Sequence, residues 1–308
     1  MFALWLSLRK VALADLWLPL RAAEPGWLGL ALLALAGNFA GKVLRWCILL
    51  GAAGGRIGLA QVAAYFFAGQ FVNLLAPGRA GDLGRAYGFG GLGAGRTFTL
   101  GTVVIEKLLD AMMFAVLVIL LLAWMPLPGW VSASAYVLVG VALAVLAGLV
   151  VVTRFWEAVR LRVEAGLAKL PAAWGPRLLA GLESLAVFQR AGAAWWLALL
   201  TAGIWGAAWL VNHLVFLALE LHLPAAASLL VLVALQVGFS SAVFPGALGI
   251  FEFLAVLALG VFGVGETAAF GYGVLLHAVV LLPAIFLGVA CTLGIGWLRG
   301  PVVPGGAG

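Results

Sequence analysis

An all-α polytopic membrane protein, with about five full spanning helices and two inverted broken or re-entrant helical hairpins, is what the sequence predicts. Three observations predict it. Of 308 residues, 66% are hydrophobic and 9% charged, too few polar side chains to cover a soluble globule of that size. Apolar runs long enough to cross a hydrocarbon core of about 30 Å recur along the chain. Finally, PGRAG at 77–81 and PGALG at 245–249 interrupt two of the apolar stretches, each followed by an acid, Asp82 or Glu252. Proline and glycine so close together stop a helix. In hydrocarbon a stopped helix must be buried in protein or line a wet cavity, because its freed backbone groups have no water to bond. One break in each half of a chain points to a transporter-type binding site. The same spacing at Pro25–Gly29 and Pro304–Gly308 falls at a segment boundary and in the tail, so the weight rests on context.

In chain order, residues 1–26 form an N-terminal segment in which Arg9, Lys10 and Asp15 interrupt the apolar stretch, giving neither a signal peptide nor a complete span. A single membrane domain then covers 27–298. Ordinary spans are expected at 27–50, 98–124, 135–152, 193–219 and 270–297, and the interrupted stretches 60–90 and 225–262 are the hairpin candidates. Between spans, 153–192 sets Phe155, Val159, Val163, Leu167 and Leu170 at helical spacing among charges. It reads as an amphipathic helix in the cytoplasmic interface, or as a small docking surface for a soluble partner. Residues 299–308 are a tail.

The basic residues of 153–192 place that connection in the cytoplasm, while 125–134, 220–224 and 263–269 hold no Lys or Arg and suit the outer side. Traced from these points, the first hairpin enters and leaves from the cytoplasm and the second from outside, so their tips meet inside the bilayer. The same tracing leaves Arg9, Lys10 and Arg21 outside. Either a further spanning helix precedes them or the segment lies on the surface.

Seventeen Lys and Arg against eleven acids give a net charge of +6. Positive-inside loops and anionic headgroups account for that excess without nucleic acid. Cys47 and Cys291 sit in apolar runs with no CxxC, and the three histidines show no ligand spacing, so no metal or cofactor is expected. Nucleotide-binding and acyl-enzyme motifs are missing as well.

Polar residues gather in three places. The stretch 70–87 holds Gln70, Asn73, Arg79, Asp82, Arg85 and Tyr87. Arginine presents a planar fork of donors that grips phosphate, and the backbone freed by Pro77, Gly78 and Gly81 adds more donors. A cytoplasmic surface loop obeying the positive-inside rule is the plainer reading. Glu106, Lys107 and Asp110 form the second place, inside a span, where each charge costs about 2.5–3.5 kcal/mol without a partner. Glu106 and Asp110 share a face and call for cations, for which Arg79 or Arg85 is nearest in sequence; Lys107 and Asp110 can pair locally. This group is either a structural ion-pair network or part of a substrate site. Around the second break stand Gln236, Ser240, Ser241, Pro245, Gly246, Gly249 and Glu252. Glu252 suits a proton-coupling carboxylate, a partner for an arginine of the first hairpin, or a cap on the half-helix after Gly249. Lys42 and Arg45 are expected to snorkel from a span end.

GQFVNLLAPGRAGDLGRAY, TVVIEKLLD and FPGALGIFE, preceded by LRWCILL at 44–50, resemble the membrane region of lysylphosphatidylglycerol synthases, also met as free-standing flippase-like proteins. The resemblance runs from about 27 to 297. Asp82 stands where that family usually has Glu, and Lys107 where it has Arg, both keeping the charge. The family also places a further span before the segment matching 7–24. What the resemblance implies is lipid flipping rather than synthesis, since aminoacyl transfer belongs to a separate soluble domain that has no counterpart in the last residues to Gly308. It carries over Pro77, Gly78, Arg79, Gly81, Asp82, Arg85, Glu106, Lys107, Asp110, Pro245, Gly246, Gly249 and Glu252.

The reading is a bacterial inner-membrane lipid translocator. Arg79 and Arg85 hold an anionic headgroup there, and the acids hold those arginines when no lipid is bound. A membrane-embedded lipid or glycosyl transferase using Asp82 or Glu252 as base is the alternative, as is a non-catalytic partner of a lipid-modifying enzyme. A homo-oligomer is compatible with all three.

Overall fold

The computed structural model describes residues 21, 23–53, 58–125, 129–167, 174–241 and 249–295, and among them every regular element is helical. The protein is a polytopic helical membrane protein. Its first four helices are α1 (Pro25–Leu50), α2 (Leu59–Leu75), α3 (Ala80–Phe89) and α4 (Arg96–Trp124). Then come α5 (Gly129–Arg154), α6 (Trp156–Leu167) and α7 (Gly175–Glu183), and last α8 (Ala193–Ala218), α9 (Ala225–Ser241), α10 (Ile250–Gly260) and α11 (Glu266–Gly294).

The first and last groups of four have the same plan. Their helices run 26, 17, 10 and 29 residues, then 26, 17, 11 and 29. Packing repeats too: α2 lies on α3 as α9 lies on α10, α3 on α4 as α10 on α11, and α2 on α11 as α9 on α4. Two equivalent units are therefore interlocked, each laying its hairpin against the other's last helix.

Helices α1 and α8 form the most extensive packing pair, and they run antiparallel. The Glu24 amide donates to the Ala218 carbonyl at 2.8 Å, Asn38 Nδ2 to the Ile204 carbonyl at 2.7 Å, and Arg45 Nη1 to Thr201 Oγ1 at 3.1 Å. Since each unit's hairpin follows directly on one of these helices, the two hairpins enter from opposite ends of the bundle. At 1.5 Å per residue, α2 and α9 reach about 25 Å and α3 and α10 about 15–17 Å, all short of a hydrocarbon core of about 30 Å.

By length and composition, Pro25–Ala53, Tyr136–Arg154, Ala193–Ala218 and Glu266–Gly294 can cross a membrane. The fifth expected span, α4, is as long as α11 but carries Glu106, Lys107 and Asp110. Large apolar side chains such as Leu33, Val137, Trp195 and Phe286 are exposed along the outer faces, as a hydrocarbon solvent permits. Inside, one apolar cluster joins α1, α8, α9, α10 and α11 around Phe216 and Tyr272, and another joins α1 to α4 around Trp46, Phe66 and Phe89.

The connection expected as one amphipathic helix is two short ones, α6 and α7, and α7 packs on α4. Most of the N-terminal segment, the tail at 299–308, and Pro245 and Gly246 lie outside the described residues.

Candidate functional site: a charged cavity between two hairpins

A cavity of about 620 Å³ opens among α1, α2, α4, α8, α9 and α11, with the tip of the first hairpin in its wall. Its lining residues sit near the middle of the long helices: Asn38 and Lys42 of α1, Glu106 and Asp110 of α4, Ala208 of α8, Val280 of α11. The site is therefore at mid-depth of the bundle.

The first hairpin reaches it through a turn of left-handed residues. After α2 ends at Leu75, Pro77–Arg79 make one 3₁₀ turn, with Gly78 at φ 72° and Arg79 at φ 56°. A non-glycine residue held there costs of order 1 kcal/mol or more, and the result is to aim the start of α3 at the cavity. Asn73 of α2 then caps α3 from across the hairpin, its Oδ1 accepting the Asp82 amide at 3.2 Å, while its Nδ2 lies 3.5 Å from Gln70 Oε1. Gly69 and Gly81 let the two helices touch: a Cβ on Gly81 would overlap the Gly69 carbonyl and the Asn73 backbone.

Behind the turn is a buried ion network. Arg85 donates through Nη2 to Glu106 Oε1 at 2.7 Å and through Nε to Asp82 Oδ1 at 3.2 Å. Its guanidinium lies against the faces of Trp46, at 4.6 Å, and Phe66, at 5.3 Å. Lys107 closes the group, 3.0 Å from Asp82 Oδ2 and 3.3 Å from Glu106 Oε1. The local Lys107–Asp110 pair expected from spacing does not form. Asp110 instead accepts from Arg45 Nη1 at 2.8 Å and from Trp205 Nε1 at 3.3 Å.

Arg45 corrects a second expectation. It does not snorkel to the interface: it is 1% exposed and pinned between α4 and α8. Its neighbour Lys42 faces the cavity. Neither Lys42 nor Arg79 has a carboxylate within ion-pair distance among the described residues. Around the site, five cations (Lys42, Arg45, Arg79, Arg85, Lys107) meet four carboxylates (Asp82, Glu106, Asp110, Glu252). Three of the cations are consumed by the acids.

In the second unit, Gly249 has φ 85° and begins α10 as Arg79 begins α3. Glu252 caps this half-helix, accepting the Gly249 amide through Oε2 at 2.7 Å, so the modest capping role holds. Its other oxygen, Oε1, lies 2.7 Å from Nδ1 of His277, which stacks on Phe251 at 4.4 Å. A carboxylate can only accept, so Nδ1 carries the hydrogen. His277 lines the cavity; sequence spacing alone gave no sign of it, since its partner stands 25 residues away.

A numerical correspondence ties the units together. Arg79 and Gly249, Asp82 and Glu252, Lys107 and His277 are each 170 residues apart, so the Asp82–Lys107 and Glu252–His277 pairs occupy equivalent places. The Pro-Gly strings themselves are offset by 168. Gly81, inside α3, and Gly249, ahead of α10, are consequently not equivalent.

A polytopic helical protein whose inverted hairpins converge on a charged mid-depth cavity is, as a class, an integral multi-pass membrane protein. The chain belongs to the family of the lysylphosphatidylglycerol synthase transmembrane region, whose model matches residues 1–288. Membership places it among membrane proteins of lipid metabolism or translocation. No curated protein and no solved structure matches it.

Of the residues singled out by sequence, Gln70, Asn73, Gly78, Arg79, Asp82, Glu106, Lys107 and Asp110 line the cavity. Arg85 lies behind it and Glu252 reaches it through His277. Lys42 and Arg45, expected to snorkel, and His277, expected to belong to no ligand set, line it as well, as do Asn38 and Gln236.

Proposed function

We propose that this protein is a lipid translocator of the bacterial inner membrane, moving a phospholipid or lipid-linked phosphate by its anionic headgroup. The observation that carries the reading is the pair Lys42 and Arg79: two cations in the wall of a mid-depth cavity, with no carboxylate within ion-pair distance among the described residues. A phosphate between them completes the charge balance and gains charge-assisted hydrogen bonds from Arg79, while the acyl chains stay in hydrocarbon. Arg85, held by Asp82 and Glu106, is the cation that a headgroup recruits by exchange for a carboxylate. Such an exchange defines two states that differ in which anion holds the guanidinium, and hairpins entering from opposite ends supply the geometry for opening each side in turn.

Proteoliposomes of phosphatidylcholine carrying a trace of fluorophore-tagged phosphatidylglycerol test this, with a membrane-impermeant quencher reporting the leaflet. The protein is expected to speed exchange over empty vesicles. Replacing both cations, Lys42→Ala with Arg79→Gly, is expected to slow it about tenfold or more, since a charged hydrogen bond is worth about 1.5–3 kcal/mol. Glycine suits the left-handed turn, so a loss there is a loss of charge and not of fold. Exchange no faster than in empty vesicles, or unchanged in the double variant, overturns the proposal.

A further inference from the structure

The two units place one acid–cation pair each at equivalent positions, and the pairs differ in one respect. Asp82–Lys107 joins a carboxylate to an ammonium, whereas Glu252–His277 joins a carboxylate to an imidazole, and histidine is the residue type suited to exchanging a proton in the physiological range. His277 is 4% exposed and lines the cavity, and its Nε2 is a buried nitrogen with no hydrogen-bond partner among the described residues. A buried nitrogen left without a partner is costly unless something binds to it. Its surroundings oppose a second cation only in part. From α1 come Lys42 and Arg45, from the first hairpin Arg79 and Asp82, and from α4 Glu106, Lys107 and Asp110; α8 and α9 present Asn212 and Gln236. Among the described residues, Glu252 is the ionisable group in contact with it.

We propose that His277 is a proton-binding site coupled to headgroup binding. This inference rests on the reading of the cavity as a headgroup site. A proton from cavity water adds to the lone pair of Nε2. The imidazolium so formed keeps Nδ1–H on Glu252, and no other bond is made or broken. The second unit then matches the first, with a full ion pair on each side, and the cavity gains one positive charge. An anionic headgroup and a proton therefore favour each other's binding, by the reciprocity that any coupling between two sites obeys. Release of the proton to the opposite side leaves a neutral imidazole beside the Glu252 carboxylate, so the cavity loses one positive charge and the headgroup leaves with it.

The test uses the full chain in detergent and dioctanoyl phosphatidylglycerol, whose phosphodiester stays charged throughout. Calorimetry at about pH 5.5 and about pH 8, on either side of the imidazole range, is expected to show binding roughly tenfold tighter at the lower pH. Near the midpoint, the dependence on buffer ionisation enthalpy should give uptake of a proton with the lipid. His277→Lys, a fixed cation like Lys107, is expected to bind tightly at both pH values, and His277→Gln weakly at both. Equal wild-type affinity at the two pH values with no proton uptake overturns the inference and leaves the headgroup site standing. The same pH dependence in His277→Gln also overturns it. No binding by the wild type at either pH removes the headgroup site itself, and the inference with it. The proton-uptake measurement needs no variant, so failure of either substitution to fold does not shelter the proposal.

Discussion

At the scale of single residues, the arginines of this protein have divided roles that their neighbours explain. Arg85 is buried, sandwiched by Trp46 and Phe66 and bound to two carboxylates, whereas Arg79 sits in a left-handed turn with no carboxylate at ion-pair distance among the described residues. Arg45 is fixed by Asp110, Thr201 and the packing of three helices. Its pair with Asp110 is unevenly buried, 1% against 24% exposed, so the two halves do not cost the same to remove. Asp110→Leu leaves a fully buried unpaired guanidinium and is expected to destabilise by about 3–5 kcal/mol. Arg45→Met leaves the more exposed carboxylate and is expected to cost less. In the double variant most of the loss is recovered, because no charge is left buried alone. Thermal unfolding in detergent checks the order; a double variant as unstable as the sum of the singles counts against the pair being an isolated unit.

Among the elements, the hairpins depend on close approach. The α2–α3 hairpin works because Gly81 meets the Gly69 carbonyl, Asn73 reaches across to cap Asp82, and the turn tolerates two left-handed residues. Gly81→Ala forces backbone against backbone, which no side-chain rotation relieves. It is expected to destabilise the protein by about 1–3 kcal/mol and to abolish lipid exchange even at temperatures where the chain stays folded, because Asp82 and Arg85 move with α3. Melting curves and vesicle exchange on one preparation separate the two effects. Normal exchange in Gly81→Ala would mean that the hairpin's interior is not coupled to the site.

For the whole molecule, the inverted repeat predicts two-sided access. Lipid-dependent opening to either face should let a membrane-impermeant maleimide reach Arg79→Cys from each side in turn, in a background with Cys47 and Cys291 replaced. Labelling from one face only, whatever the lipid, would mean a fixed vestibule. This outcome is decided by how the two units move against each other, and the packing of α1 on α8 is the most extensive contact between them.

Much of this plan is legible in the sequence because its causes are local. Hydropathy and run length declare spanning helices; Pro77 with Gly78 declares a stop; an acid three residues into a half-helix, as Glu252 is after Gly249, declares a cap. The in-span charges also announce that partners exist. Which partners they find is not local. Asp110 takes Arg45 from 65 residues away instead of Lys107 three residues away, and Arg45 meets Thr201 across 156 residues. The textual repeat at an offset of 168 even misaligns the structural one at 170, since chain length in a loop does not fix where the next helix begins. Sequence by itself determined the solvent, the helices, the breaks and the demand for counter-charges. Only the tertiary structure decided how those charges pair, that Lys42 and Arg79 are left over, and that His277 stands where Lys107 stands in the other unit. The reason is physical: pairing depends on the rotation and depth at which distant helices meet, and that is set by packing across the whole bundle.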